Sequence, residues 1–568
     1  LQNRLLVLLL SAIFIGLGSW KLFQLPVDAF PDTTPVQVQI NTVAPALNPE
    51  EIEQQITLPV ELAMGGLPGL ESVRSVSKFG FSQVVATFSD ATEISEARQY
   101  ISERLSTVEL PEDIERPQLG PISTGLGEIF HYTLSSTDPE RSLEELRTLH
   151  DWVIKPELRK VSGVAEVNSW GGYEKQYHVI VSPRNLIKFG LTLDEVAEAL
   201  QANNSNAGGG ILTRGGQSLL IHGLGRVESI EEIEDIVIAS YAGSPLRIRD
   251  VADEVRIGYE IRRGAVTAQG QGEIVLGLAF MLMGENGMVV TEELKTRLDS
   301  LRRSLPEDVV VNVVYDRTEL TSQVIGAVQH NVAAGAILVV AILFVLLGNL
   351  RAGLLVASVI PISMLFSAFG MSYFGIAASL LSLGAVDFGM IVDGSVVMTE
   401  SNMRKLGQRR VELGRDLTKA ERLEIVISSA KEVARPVVFG MGITIVVFFP
   451  ILTLEGTEGK MFRPMALTFI FALAGALIYA LTVTPVLNYY FIKPSAKEEA
   501  GWFAGTLTKA YAASLRFAMR ARVFVLAAVA VVFALTLWAG AKMGGEFVPR
   551  LSEGAVTINT IRLAGISI

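Results

Sequence analysis

The sequence contains seven long apolar stretches that are almost free of charge. They cover about 5–23, 330–349, 353–374, 377–400, 436–455, 465–490 and 523–541. A helix rises about 1.5 Å per residue, so about 20 apolar residues cross a hydrocarbon core of about 30 Å. The pattern therefore predicts a polytopic α-helical membrane protein with seven spans. The fourth span is unusual because it carries charges inside it.

The long polar segment between the first two spans, 26–325, alternates strand-like and helix-like stretches. Its first part predicts a strand over 36–43, a helix over 48–64, a strand pair over 73–88 and a helix over 93–108. This order is that of a split βαβ unit, the ferredoxin-like arrangement. A second run of the same kind begins at Glu128, after a Gly- and Pro-rich stretch that predicts a subdomain boundary at 120–127. We expect a large α+β domain with at least two such subdomains.

Capping residues mark helix starts in this segment. Asn48 stands before Pro49 and two glutamates. Four other candidates are each followed three residues later by Glu: Asp90, Ser142, Thr192 and Ser229. A small polar residue with Glu at this spacing is typical of a capping box. The sequence therefore predicts helices that begin directly after these positions.

A glycine-rich stretch at 203–216 reads NNSNAGGGILTRGG. It lacks the GxxxxGK[ST] order of a phosphate-binding loop, and it does not lead from a strand into a helix. The pattern instead favours a long hairpin or extended loop. Such a loop could reach a neighbouring subunit.

Composition agrees with a membrane protein and excludes several kinds of chemistry. Of 568 residues, 49% are hydrophobic and 19% are charged, against roughly 25% charged in average soluble domains. The absence of cysteine excludes disulfides, thiolate metal sites and cysteine nucleophiles. The sequence shows no Walker motif, no Ser-His-Asp order and no basic patch interleaved with aromatic residues. We therefore predict neither an enzyme nor a nucleic-acid-binding protein, and we expect no cofactor.

Charge is distributed unevenly around the net value of −11. Residues 26–325 sum to −20, which leaves +9 for the rest of the chain. Nine Lys or Arg fall within 401–435, and the segment after the sixth span adds Lys493, Lys497, Lys509, Arg516, Arg520 and Arg522. Because basic loops remain in the cytoplasm, 26–325 and the tail from 543 are predicted to lie in a bacterial periplasm. The first span lacks a following cleavage pattern and is predicted to be an anchor.

Two parts of the chain match at an offset of 518 residues. Trp20, Pro31, Ile40, Asn41 and Thr42 face Trp538, Pro549, Ile558, Asn559 and Thr560. Apolar bias does not explain these matches, so the seventh span is predicted to open a second copy of the first. Because both copies leave the membrane in the same direction, the repeat is parallel, and a complete second copy would end near residue ~1,040. We therefore expect the N-terminal repeat of a transporter plus the start of its second repeat.

The fourth span carries Asp387 and Asp393, with Glu400 at its end. An Asp at a helix centre costs roughly 2.5 to 3.5 kcal/mol, so stability does not explain two of them. At 100° per residue Asp393 and Glu400 share one face, whereas Asp387 lies about 120° away. Three interpretations stay open: a proton relay, aspartates paired with a cation on another helix, and direct binding of a hard cation. Three glycines spaced by five predict close approach of a neighbouring helix: Gly384, Gly389 and Gly394.

These residues carry a resemblance to a known family. The chain resembles the N-terminal half of resistance-nodulation-division (RND) efflux pumps, and more narrowly their heavy-metal branch, the cobalt-zinc-cadmium exporters. The matching segments are 30–32, 119–130 and 171–176, and above all Asp387-Phe-Gly with Asp393-Gly and Glu400. Multidrug members are expected to carry two adjacent aspartates in this span, whereas here Gly394 follows Asp393. One departure is Glu400-Ser401-Asn402, where the family more usually has Asn directly after Glu.

The resemblance implies an RND transporter fold and a role for each part. Asp387, Asp393 and Glu400 would be the proton-translocation acids. The protein would be a homotrimer that works with a periplasmic adaptor and an outer-membrane channel. The implied membrane parts are transmembrane helix 1 at 1–25, helices 2–4 at 326–400, helices 5–6 at 436–492 and helix 7 at 523–541. The implied cytoplasmic parts are a loop at 401–435 and a segment at 493–522. The implied periplasmic parts are a porter and docking domain at 26–325, with its docking loop near 203–216, and the start of a second periplasmic domain at 542–568.

The ion is constrained by the available ligands. Monovalent copper and silver need sulfur, but 26–325 offers four methionines, and Asn559 stands where copper and silver members are expected to place one. Zinc, cobalt, nickel or cadmium accept carboxylate and imidazole, yet the histidines show no ligand spacing, so no metal residue is named. With no ATP motif, we predict proton-driven antiport of divalent heavy-metal cations. The alternatives are a multidrug or amphiphile exporter, and a non-transporting membrane protein with structural aspartates.

Overall fold

The protein, described here by a computed structural model, divides into two compact units. The described residues are 3–25, 27–28, 31–44, 47–111, 114–241, 243–260, 262, 264–268, 270, 272–347, 349–379, 382, 388–492, 502–542, 556 and 558–561. The first unit comprises Leu1–Ile129, Met281–Glu292 and Asp316–Thr560, and the second comprises Phe130–Phe280, Glu293–Tyr315 and Ile561–Ile568.

The first unit contains a four-stranded sheet, the first sheet. Its strands lie in the spatial order Leu70–Lys78, Phe81–Phe88, Val36–Val43 and Gln118–Leu119. All three neighbouring pairs are antiparallel. Alternate side chains of Phe81–Phe88 are buried and pack with Ala97 and Ile101 of a helix, as expected for a sheet with one covered face. This is the predicted split βαβ arrangement, so that prediction is confirmed.

The two helical regions of this subdomain test the capping predictions. A first region runs through Pro49–Ile52, a π-helical turn Glu53–Thr57 and Leu58–Met64. Asn48 caps it, because its side chain accepts from the backbone N–H groups of Glu50 and Glu51. The second helix is Ile94–Leu105, and its first residue follows Glu93, whose side chain makes no capping hydrogen bond.

The capping prediction at Asp90 is therefore wrong. A turn in which the Thr92 N–H donates to the Ser89 carbonyl, at 3.0 Å, separates the strand from the helix. This turn leaves Asp90 four residues ahead of the helix start. Its carboxylate instead lies 2.6 Å from the ammonium of Lys460.

The second unit is built around another four-stranded sheet, the second sheet. Its strands lie in the order Val309–Asp316, Glu128–Ser136, Val275–Met281 and Val164–Trp170. In the chain, the strand Glu128–Ser136 is followed by a helical region made of Leu143–Leu149, a π-helical turn His150–Ile154 and Lys155–Leu158. The helix Gly287–Arg302 precedes the strand Val309–Asp316. The chain order and the spatial order repeat those of the first sheet. The second run from Glu128 is thus a second split βαβ unit.

A subdomain is inserted between the strands Val164–Trp170 and Val275–Met281. Lys175–Val181 pairs antiparallel with Ala252–Tyr259, and Val237–Tyr241 pairs with Ser244–Arg247. Its helices are Pro183–Phe189, Leu193–Ala202, Ile230–Glu234 and Ile248–Val251. Ser142, Thr192 and Ser229 each accept a hydrogen bond from the backbone N–H three residues later, so these capping predictions are confirmed.

The glycine-rich stretch forms a hairpin from this inserted subdomain. Ala207–Arg214 pairs antiparallel with Gln217–Gly223. Gly215 and Gly216 make the two-residue turn with φ of 61° and 80°, values that a type I′ turn requires and glycine adopts without strain. Every residue of both strands is exposed. The hairpin prediction is confirmed, and it rules out a phosphate-binding loop here.

Six helices are long and apolar enough to cross a membrane in the described part of the chain. They are Arg4–Leu22, Arg317–Ile342, Leu350–Tyr373, Lys419–Thr453, Gly456–Phe491 and Arg522–Gly540. The helix that contains the end of the fourth predicted span, Phe388–Leu413, carries too many charged residues to join this set. Gly456–Phe491, 36 residues long, is the most buried of the six and packs at the centre of the bundle.

The structure shows helices in both segments that the sequence predicts to be cytoplasmic. The segment 401–435 is mostly helical, since Phe388–Leu413 ends and Lys419–Val447 begins within it. The helix Trp502–Arg520 lies in the segment predicted only as a basic connection. A search for long apolar stretches does not detect these parts, because charged residues extend the first two helices and interrupt the apolar residues of the third.

The first and last membrane helices agree with the internal repeat. Arg4–Gln24 and Arg522–Gly540 begin at the two arginines that the offset of 518 aligns. Both helices expose most of their apolar side chains.

Candidate functional site

Two of the three acids predicted to relay protons, Asp393 and Glu400, lie on the helix Phe388–Leu413, here called the acid helix. Asp393 and Glu400 are both exposed in this chain, whereas Val392, Gly394 and Thr399 beside them are buried. Among the described residues, the two acids therefore share one exposed face of the acid helix, as the helical spacing predicts. Asp387 and Gly384 lie outside the described residues.

Asp393 borders a cleft of about 320 Å³. The cleft is otherwise lined mainly by apolar side chains and backbone, including Val397, Pro436, Gly440 and Leu473. Pro436 lies inside the helix Lys419–Val447 and cannot donate a backbone hydrogen bond there. A carboxylate at the edge of an apolar cleft is in a suitable place to bind and release a proton or to meet a cation.

The opposite face of the acid helix is held by hydrogen bonds between buried side chains. Ser395 and Thr484 hydroxyls lie 3.0 Å apart, and Thr399 donates to Oδ1 of Asn488 at 3.3 Å. Both contacts join the acid helix to Gly456–Phe491, here called the long helix. Ser401 and Ser429 hydroxyls lie 2.9 Å apart and join the acid helix to Lys419–Val447. These contacts fix the rotation of the acid helix and so the direction in which its acids point.

Gly394 permits the closest approach in this packing. A Cβ added there would lie 2.7 Å from Sδ of Met441, 3.1 Å from Cγ1 of Val437 and 3.2 Å from Cβ of Ala480. Those atoms belong to both neighbouring helices, so only glycine fits without a shift. The residue directly after Asp393 is thus a packing point rather than a second acid.

Among the described residues, no group of three or more histidines, aspartates and glutamates is placed so that it could hold a metal ion. His150 is fully buried in the second unit, where its Nε2 lies 2.8 Å from the Tyr132 hydroxyl and its Nδ1 lies 2.9 Å from Ser169. Burial lowers the pKa of His150, and the adjacent Asp151 only partly opposes that shift. This histidine is a neutral core residue, which the lack of ligand spacing in the sequence already favoured.

A contact missed by the sequence analysis lies at the start of the long helix. Lys460 approaches Asp90 and also donates to the Thr34 carbonyl at 2.7 Å. The partners are hundreds of residues apart in the chain, and no spacing rule connects them. Only the fold brings them together.

Comparison with known proteins places this geometry in context. The family model described as the AcrB/AcrD/AcrF family matches residues 1–568. Protein HelA of Legionella pneumophila is 46% identical over 575 residues, covering 100% of this chain and 54% of that protein. The cobalt-zinc-cadmium resistance protein CzcA of Cupriavidus metallidurans is 43% identical over 577 residues, covering 100% and 54%.

A solved structure matches as well. The X-ray crystal structure of a heavy metal efflux pump has a TM-score of 0.83 and 33% sequence identity, and covers 97% of this chain and 53% of that chain. The chain thus spans about half the length of the curated relatives and of the solved structure it matches.

Proposed function

Because the chain belongs to the AcrB/AcrD/AcrF family, we propose that the protein exports divalent heavy-metal cations in exchange for protons. It is a multi-pass membrane protein with the RND transporter fold. The observation that carries the proposal is the pair Asp393 and Glu400 on one exposed face of the acid helix. A carboxylate within a membrane span is costly to insert, so Asp393, with Glu400 on the same face at the end of the span, is expected to serve transport.

The proposed relay consists of Asp387, Asp393 and Glu400. Asp393 would take up and release the proton at the cleft, and Glu400, about 10 Å further along the axis, would pass it toward the other end of the helix. Gly389 and Gly394, with Gly384, would keep the acid helix close to its neighbours. Proton entry supplies about 2.3 kcal/mol per 100 mV, in addition to any pH gradient.

The proposed substrates are zinc, cobalt, nickel and cadmium ions. The relatives that support this choice are named for cobalt, zinc and cadmium at 43% identity and for nickel, cobalt and cadmium at 39%. The cation efflux protein CusA of Escherichia coli is less similar, at 34%. Asn559 in place of a methionine also disfavours ions that need sulfur ligands.

We also propose where the protein lies and what it assembles with. The basic segments 401–435 and 493–522 would face the cytoplasm, and 26–325 and 542–568 the periplasm of a bacterial inner membrane. The first and second sheets would be porter subdomains, and the inserted subdomain with its hairpin would dock against another subunit of a homotrimer. A periplasmic adaptor and an outer-membrane channel would complete the export path.

The test is ion-stimulated proton flux in proteoliposomes, with protein expressed from the complete gene. Zinc, cobalt, nickel, cadmium and monovalent copper are compared for wild type, Asp393→Asn and the control Asp416→Asn. Asp416 is an exposed acid in the connection after the acid helix, with 82% of its side chain accessible. We expect divalent ions to drive flux in wild type and the control, and a loss of about a hundredfold or more in Asp393→Asn.

Each other outcome contradicts a stated part of the proposal. Flux with dyes or detergents but with no metal would indicate an exporter of drugs or amphiphiles. Metal-driven flux that survives Asp393→Asn would make Asp393 a structural residue.

A further inference from the structure

Lys460 joins the start of the long helix to the first sheet. Its ammonium lies 2.6 Å from Oδ1 of Asp90 and donates to the Thr34 carbonyl at 2.7 Å. Thr34 precedes the strand Val36–Val43, and Asp90 follows the strand Phe81–Phe88. These strands are antiparallel, with Val36 opposite Phe88, so Thr34 and Asp90 lie at the same end of the strand pair. The Lys460 side chain therefore contacts the ends of two adjacent strands.

The position of Lys460 is fixed to the long helix. The helix starts at Gly456 with φ of 63°, a conformation that favours glycine. A Cβ added at Gly459 would lie 2.3 Å from the Leu454 carbonyl oxygen, so the entry into the helix is tightly packed. The Lys460 side chain is only 23% exposed. Lys460 consequently moves with the long helix.

The long helix in turn is attached to the acid helix beside Asp393. Gly394 packs against Ala480, and two buried hydrogen bonds, Ser395 with Thr484 and Thr399 with Asn488, follow along the same seam. A displacement of the acid helix must either break these contacts or move the long helix with it. The path from Asp393 to the first sheet thus consists of packed, hydrogen-bonded elements.

A cavity of about 1040 Å³ surrounds the Lys460 contact. Four carboxylates line it, Asp32, Glu71, Asp90 and Glu455, together with Lys460 and Arg463. Partly exposed ion pairs add little to stability, so stability alone does not account for a lysine that bridges this space. Next to these four carboxylates, the Lys460 ammonium makes a charge-specific connection between the long helix and the first sheet.

We infer that Lys460 is a positioning residue that transmits movement of the acid helix to the first sheet through Asp90 and Thr34. The inference rests on the proposed function, because it assigns the movement to the exchange cycle. Protonation of the relay shifts the acid helix, the long helix follows, and Lys460 carries the shift to the subdomain that contains the first sheet.

The first test needs no transported ion. Amide hydrogen exchange over 36–43 and 81–88 is compared in wild type and in Asp393→Asn, which imitates the protonated acid, each with and without Lys460→Met. We expect Asp393→Asn to change exchange in these strands about tenfold, and Lys460→Met to remove that response. An Asp393→Asn response that persists without Lys460, or no response in the presence of Lys460, would overturn the inference.

The second test uses charge reversal. Zinc-stimulated proton flux is measured for Lys460→Glu, Asp90→Lys and the double variant, in protein from the complete gene. Each single change should lower maximal flux about tenfold without altering the zinc concentration for half-maximal flux. The double variant should return to within about threefold of wild type, incompletely because a glutamate cannot donate to the Thr34 carbonyl.

The matched control is Arg415→Glu, which breaks the 2.6 Å pair of Arg415 with Glu421 in the connection after the acid helix. It should leave flux unchanged. A double variant no better than the single variants would contradict a charge-specific link. Absence of zinc flux in wild type would count against the proposed function, whereas hydrogen exchange would still decide the role of Lys460.

Discussion

Gly394 shows how one missing side chain fixes the place of the acids. An alanine there would bring its Cβ to 2.7 Å from Met441 Sδ and 3.2 Å from Ala480 Cβ. Ala480 is short and cannot swing away, so the helices must separate. We predict that Gly394→Ala lowers stability by about 1–3 kcal/mol through overpacking, despite the better helix propensity of alanine. Thermal unfolding in detergent measures this change.

The control lies across the same cleft. Gly440 has no atom within 4 Å of an added Cβ, so Gly440→Ala should be neutral or slightly stabilising. Equal midpoints for the two variants would show that the packing at Gly394 is looser than its distances indicate.

His150 makes the second unit sensitive to pH. Burial lowers its pKa from the ordinary value of 6.5, so the unfolded chain binds the proton more readily than the folded chain. Stability is therefore fully present above about pH 6.5 and falls as the pH drops below it. Burial alone would raise the pKa of Asp151, but hydrogen bonds from His150, Ser169 and Arg147 outweigh it and hold that pKa well below its usual range. Asp151 consequently does not titrate in this window.

We predict that the unfolding midpoint of wild type falls between pH 7.5 and 5.5, and that His150→Gln, though less stable at pH 7.5, loses this part of the dependence. Thermal unfolding at several pH values, followed by the fluorescence of Trp152 and Trp170, measures it. Parallel pH profiles for both proteins would assign the dependence to another group.

Among the secondary-structure elements, the helix Leu193–Ala202 depends on its first turn. Thr192 accepts from the Glu195 N–H at 3.2 Å, and Glu195 accepts from the Thr192 N–H at 2.8 Å. We predict that Thr192→Ala costs about 1 kcal/mol and speeds amide exchange over 193–202. Glu93→Ala is the control, because Glu93 precedes the helix Ile94–Leu105 without a side-chain capping bond. A similar loss in both variants would attribute the effect to something other than the cap.

Local signals in the sequence predicted those elements that local physics determines. Alternating apolar residues and caps gave both split βαβ units, and paired glycines gave the hairpin. The prediction of a cap at Asp90 was wrong because a turn separates this residue from the helix. The charged ends of the long helices were not predicted, because the apolar pattern stops before them. The Lys460 contact and the close fit at Gly394 depend on tertiary packing, which no spacing along the chain encodes.

Over the whole molecule, the uneven charge sets the proposed orientation. The acidic segment 26–325 carries −20, while the basic residues concentrate in 401–435 and after the sixth span. Residues 1–568 contain no cysteine, so a single cysteine introduced here is the sole thiol that this part of the protein contributes, and it reports its own side of the membrane. Three exposed positions suit this test: Glu140 in the second unit, Gln408 on the acid helix and Ser514 on the helix Trp502–Arg520.

We predict that a membrane-impermeant maleimide labels Glu140→Cys in intact spheroplasts and labels Gln408→Cys and Ser514→Cys only after lysis. The physical reason is that about ten clustered basic side chains resist transfer across the membrane, whereas an acidic domain does not. A permeant maleimide should label all three without lysis, which controls for burial in the assembly. Labelling of Glu140→Cys and Gln408→Cys from the same side would require an even number of crossings between them, and the acid helix would then not cross in the proposed direction.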